Sequence, residues 1–216
     1  MYRTLPFLLM LLISCAQGRE QKGIQLTPVT VKKQKEEKKD YLTVLSAAKS
    51  FKQKSIDSDS FEIIYGRFIV DSIIPFWYGT KWNFYGNTQE PQKGSIACGY
   101  FVTTVLRDAG LHINRVKLAQ VPSEEMIKSI CNRNSIKRFS NTVMPAFINE
   151  LLQSENGLYI VGLDFHTGFI YHNNRELYFI HASYQMPQVV IKQNATESSI
   201  LSSSKYKVIG KVNLQL

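Results

Sequence analysis

Residues 157–184, GLYIVGLDFHTGFIYHNNRELYFIHASY, read as three consecutive β-strands. The runs GLYIVGLDF, HTGFIYH and ELYFIHASY are short, rich in aromatic and β-branched residues, and divided by turn residues. Asn173-Asn174 suits a hairpin turn between the second and third. QVVIK (188–192) and YKVIGKVNL (206–214) continue the pattern. Upstream the apolar spacing is helical. Asp40 caps YLTVLSAAKSF, and a second helix from Asp59 or Ser60 carries FEIIYGRFIVDSII. Its Ile63, Ile64, Phe68, Ile69 and Ile73 recur at helical spacing, and Pro75 ends it. PFWYGTKWNFYGNTQEPQKG (75–94) reads as an irregular loop. A third helix begins at Cys98, with Phe101, Val102, Val105, Leu106 and Ala109 on one face and Gly110 as its stop. SEEMIKSIC and TVMPAFINELLQS give two more, the latter with Pro145 in its first turn. Helices first and an antiparallel sheet after them predict an α+β domain rather than a doubly wound one.

The chain has 216 residues, enough for one domain and a tail, and 44% hydrophobic residues, enough for a packed core. Its net charge is +9. Much of the lysine lies in KKQKEEKK (32–39), which also carries glutamates and lacks aromatics. That composition suits a solvated tether and predicts no nucleic-acid partner. Residues 1–15 read as an export signal: Arg3, then the apolar LPFLLMLLI, too short to span a bilayer. Leu12-Ile13-Ser14-Cys15 resembles a bacterial lipobox, which makes Cys15 the lipidation site; the other reading is an ordinary signal cut near Ala16. A lipidated cysteine implies an envelope protein anchored to a bacterial membrane, facing the periplasm or the outer membrane. Residues 16–39 read as a flexible basic linker and 40–216 as a single domain, expected to be monomeric.

Chemistry concentrates at Cys98. At a helix start, unpaired N–H groups favour a thiolate and lower the thiol pKa. The same N–H groups suit an oxyanion. Gly99 is expected to leave room beside the sulfur for substrate. The competing reading is a buried core cysteine. Of four histidines, His166 begins one strand and His181 ends the next, so a hairpin brings them together. One imidazole then takes the thiol proton while the other orients it. His112 and His172 are expected at the surface. No CxxC or HExxH spacing supports zinc, so neither metal nor organic cofactor is expected. A Cys98–Cys131 disulfide is arithmetically open but removes the nucleophile.

The ordered motifs resemble the NlpC-like cysteine peptidases of bacterial cell walls. They are Thr80-Lys81-Trp82-Asn83-Phe84-Tyr85-Gly86, Ala97-Cys98-Gly99-Tyr100-Phe101-Val102, His166-Thr167-Gly168-Phe169-Ile170 and Phe179-Ile180-His181-Ala182-Ser183. The likeness spans Trp77 to Ser183. It implies a papain-like fold and a hydrolase that cuts an amide in peptidoglycan stem peptides, with peptidoglycan or its fragments as partner. By the same likeness Cys98 is the nucleophile, His166 the base and His181 its orienting group. The family's acidic residue before cysteine is Ala97 here, its following serine is Gly99, and its tyrosine near the nucleophile aligns with Trp82. Trp82, or Tyr78 in a shifted alignment, is then the oxyanion donor or cleft wall, since an indole N–H donates but cannot accept. A papain-like acyltransferase, an amidase on another envelope substrate, and a non-catalytic binding lipoprotein are the alternatives.

Overall fold

The structure, a computed structural model, describes residues 40–52 and 58–216. The export signal, Cys15 and the linker lie outside the described residues. From Asp40 onward the described chain belongs to one compact unit. Helices α1 (Tyr41–Lys52) and α2 (Ser58–Phe68) follow the two amphipathic runs. The second run is not one regular helix. It passes into a π-helical turn, Ile69–Ile73, and then a 3-10 turn, Ile74–Trp77, which accepts Pro75 in its first turn. Ile69, Val70, Ile73, Ile74 and Trp77 are all buried, so core packing selects these tighter and wider turns over helical regularity.

The expected loop holds two short parallel strands, β1 (Lys81–Trp82) and β2 (Ser95–Ile96), with Trp82 opposite Ile96. Helix α3 (Cys98–Asp108) follows, then α4 (Arg115–Ala119), α5 (Ser123–Ile130), β3 (Lys137–Ser140) and α6 (Met144–Leu152). The last third is β4 (Gly157–Leu163), β5 (Thr167–Asn173), β6 (Glu176–Ala182), β7 (Val190–Asn194), α7 (Ser199–Ser203) and β8 (Tyr206–Lys211). Thus the fold is α+β: seven α-helices among the described residues and a six-stranded antiparallel sheet, ordered β3-β8-β4-β5-β6-β7. The β5–β6 hairpin pairs Asn173 with Glu176, so the turn is Asn174-Arg175, one residue later than expected. Asn174 takes the positive φ of 53° that such a turn requires.

Both faces of the sheet are covered. Leu158, Ile160, Phe169, Tyr171 and Ile180 pack with α1, α2, α3 and α5. Tyr159, Val161, Leu163, Ile170 and Phe179 pack with Phe147 and Leu151 of α6 and Ile200 and Leu201 of α7. That is why GLYIVGL shows no polar alternation: every residue of β4 is buried. Each such side chain contributes about 1.5–3 kcal/mol by leaving water. His172 is a correction. It was expected at the surface, but it is buried on β5 with Nδ1 3.2 Å from the Glu155 carbonyl. His112 is exposed as expected.

Candidate active site

Cys98 is the first residue of α3. Ala97 precedes it in extended conformation and offers no side-chain cap, so the first N–H groups of the helix stay open. β2 delivers this turn. The Ala97 N–H donates to the Gly86 carbonyl at 2.8 Å, which holds the aromatic loop beside Cys98. The loop is also tied to the segment before β7, where the Trp82 N–H donates to the Gln188 carbonyl at 2.7 Å. Trp82 is thereby fixed in the wall of the cleft that contains Cys98.

Gly99 has a reason beyond the one expected. A Cβ there would stand 2.5 Å from the Ala119 carbonyl oxygen. The glycine lets α3 and α4 meet, and it also lines the cleft beside Cys98. Gly168 acts similarly, since a Cβ would meet the His181 Cβ and the Phe179 ring, each at 2.8 Å. Its bare backbone lets His181 lie close against β5.

His166 stands just before β5, and His181 is the penultimate residue of β6. Their rings meet: His166 Nε2 is 2.9 Å from His181 Nδ1. Phe179 stacks on His181 with ring centroids 4.0 Å apart, and Tyr184 stands edge-on to His166 at 5.2 Å. His181 Nε2 lies 3.0 Å from Gln193 Nε2 on β7, which donates to Ser198 Oγ at 3.1 Å; turning the amide over places its oxygen there instead. Ser198 Oγ accepts from the Leu201 N–H at 3.2 Å. Cys98, Phe165 and His166 line the same cleft, with no hydrogen bond between the thiol and the imidazole. With His166 Nε2 held by His181, Nδ1 is the nitrogen left for the thiol.

The chain of contacts runs in one of two proton arrangements. With the Gln193 amide nitrogen toward His181, protons sit on His181 Nδ1 and His166 Nδ1. With the amide oxygen toward His181, His181 Nε2–H donates to it and His166 Nε2–H donates to His181. Only the second leaves a lone pair on His166 Nδ1. Ser198 suits it, because its hydroxyl can donate to the same amide oxygen while still accepting from Leu201.

Charge at the site also departs from expectation. Burial pushes the Cys98 thiol pKa up, outweighing the backbone N–H groups of Thr167, Gly99 and Cys98 that pull it down. The helix start therefore tempers the cost of burial without producing a low-pKa thiol. Burial pushes His166 down to about 4; His181 is lowered too, by burial and then by the charge of His166. At neutral pH the two groups are a thiol and a neutral imidazole.

The other expected positions divide. Trp82 lines the cleft; Tyr78 does not, and packs half-buried against the core with its hydroxyl pushed up to about 12 by burial and the nearby Asp71. Cys131 is a buried free thiol whose Sγ lies 3.2 Å from the Gly210 carbonyl, so no disulfide consumes Cys98. Gln193, Ser198, Tyr184 and Phe165 are site residues that sequence reading missed. Among the described residues, no three His, Cys, Asp or Glu side chains gather as a metal-ligand set, and no helix is long and apolar enough to cross a membrane. Comparison with protein-family models, curated proteins and solved structures finds no match.

Proposed function

We propose that the chain is a papain-like cysteine hydrolase of the cell envelope that cleaves an amide bond in peptidoglycan stem peptides. The observation that carries the chemistry is the hydrogen-bonded series His166–His181–Gln193 ending at the cleft of Cys98. His166 Nδ1 takes the thiol proton as the sulfur attacks the carbonyl carbon. The imidazolium that forms donates from Nε2 to His181 Nδ1, which His181 can accept only when its own proton rests on Nε2 against Gln193. The Cys98 N–H and the Trp82 indole N–H donate to the oxyanion. His166 then returns its proton to the leaving amine, and water hydrolyses the thioester. Peptidoglycan as substrate, and anchoring through Cys15, rest on the sequence resemblances.

The test is hydrolysis of purified peptidoglycan fragments, read by mass spectrometry. Wild type is expected to release a new amine and acid pair, and Cys98→Ala to release none. Cleavage that survives Cys98→Ala would refute the assignment. A second reading, acyl transfer or hydrolysis on another envelope substrate, is favoured by one feature: the aromatic cavity beside Cys98, walled by Trp82, Tyr100 and Tyr184, has no charged lining side chain among the described residues. An added amine captured in the product separates transfer from hydrolysis.

A further inference from the structure

We infer that the cavity beside Cys98 binds the acyl part of the substrate and that this part is uncharged and apolar. The inference rests on Cys98 being the nucleophile and favours the second reading above, another envelope substrate, over stem peptides. The cavity is about 700 Å³, within the range of small-molecule sites, and its walls are Trp82, Phe84, Tyr85, Tyr100, Phe165 and Tyr184 around Cys98 and His166. The chain carries 26 basic and 17 acidic residues, yet none of the lining side chains is charged. A carboxylate entering here would lose water and meet no cation. The nearest guanidinium, Arg115, lies behind Tyr100, 4.7 Å from its ring. Its Nε donates to Thr104 Oγ1 at 2.7 Å and its Nη2 to the carbonyls of Asn87 and Thr88 at 2.8 and 2.9 Å. Arg115 does not line the cavity.

The two sides of the site differ. A second depression is lined by Glu124, Asp164 and Lys205 as well as His166, and a smaller one, lined by Cys98, His166 and Asp164, adjoins both. A leaving group must lie within reach of His166 to receive its proton, so the polar side suits the leaving group. The acyl carbonyl must face Cys98 and Trp82, so the acyl group falls on the aromatic side. Phe84, Tyr85 and Phe165 are 71%, 85% and 95% exposed, an apolar rim at the mouth of a reactive cleft. Such a rim is explained when an apolar ligand covers it.

Two activated esters with the same six-carbon acyl length test this on the full chain: p-nitrophenyl hexanoate and the mono-p-nitrophenyl ester of adipic acid. In each the sulfur–carbonyl bond forms and the carbonyl–phenolate bond breaks. The thiol proton passes to His166, nitrophenolate leaves, and water then releases the acid and regenerates the thiol. Below micellar concentration, kcat/KM for hexanoate is expected to exceed that for the charged ester by at least about tenfold, because the carboxylate goes unpaired. Phe84→Ser with Tyr85→Ser, both exposed and outside the catalytic groups, should shrink the ratio to about threefold or less as apolar contact is lost. Equal or faster turnover of the adipate ester overturns the inference while leaving the nucleophile standing, provided Cys98→Ser abolishes both. Turnover that persists in Cys98→Ser overturns the reading of the site itself. Inhibition by a soluble four-residue N-acetylglucosamine oligomer, without acyl preference, reassigns the aromatics to sugar stacking and also overturns the inference.

Discussion

Replacing Gln193 with leucine removes the last polar group in the His166–His181–Gln193 series while roughly keeping its volume. The amide lies 3.0 Å from His181 Nε2 and 3.1 Å from Ser198 Oγ. Without it, His181 has no partner to hold a proton on Nε2 and so has less tendency to accept from the His166 imidazolium. A neutral hydrogen bond contributes about 1 kcal/mol and a charge-assisted one up to about 3 kcal/mol. Converted to rate, Gln193→Leu should lower kcat by about 5- to 150-fold. KM should stay fixed, because Gln193 does not line the cleft. Gln193→Glu keeps an acceptor and adds a negative charge. It should hold kcat within about threefold and move the acid limb of the pH–rate profile upward, as a nearby anion favours imidazolium. The assay is steady-state hydrolysis of p-nitrophenyl hexanoate from pH 4 to 9, with urea melts to verify that each variant is folded. A Gln193→Leu enzyme with wild-type kcat and an unmoved profile refutes the proton arrangement. So does a Gln193→Glu variant as impaired as Gln193→Leu.

Further expectations follow from burial and packing. The raised Cys98 thiol predicts that alkylation by iodoacetamide climbs only above the ordinary cysteine pKa of about 8.5; an inflection below pH 8 contradicts it. Cys131, buried on its Gly210 contact, should stay unlabelled in the folded protein, and Cys131→Ala should leave turnover unchanged. His166 binds its proton less readily folded, at about 4, than unfolded, near 6.5, so the unfolded chain carries the extra proton between those values. Stability should therefore be complete above about pH 6.5 and fall as pH drops toward 4, by about 3 kcal/mol from this group. His166→Asn should lessen that slope in urea melts, with the lowered His181 supplying what remains. Gly99→Ala sets a methyl against the Ala119 carbonyl and should cost about 1–3 kcal/mol of stability, measured by the same melts; a neutral result would show that α3 and α4 can separate freely.

The helix at Cys98, the five late strands and the meeting of His166 with His181 were legible because each rests on local periodicity or on a hairpin of short span. What escaped the sequence depends on distant partners. Gln193 reads as one polar residue in QVVIKQN, and only the pairing of β7 with β6 brings it to His181. The edge strand β3 is four residues long, and exposed or half-exposed throughout, so it carries no apolar pattern to detect. His172 was misplaced because its neighbours Asn173 and Asn174 are polar, whereas coverage of both sheet faces buries it. The thiol was misjudged for a related reason: a helix start is visible in sequence, but the desolvation that outweighs it is not.

One further consequence comes from the place of β8. It lies between β3 and β4, registered with both, rather than at an edge. β4 carries β5 and then β6, the two strands that frame the histidines. β4 to β7, which seat His166 and His181, are contiguous without it; the gap that residues 206–211 fill lies between β3 and β4. Closing that gap is a contact of long sequence separation, the kind that forms slowly. The strand that arrives last thus covers the open edge of β4 and gives β3 its partner.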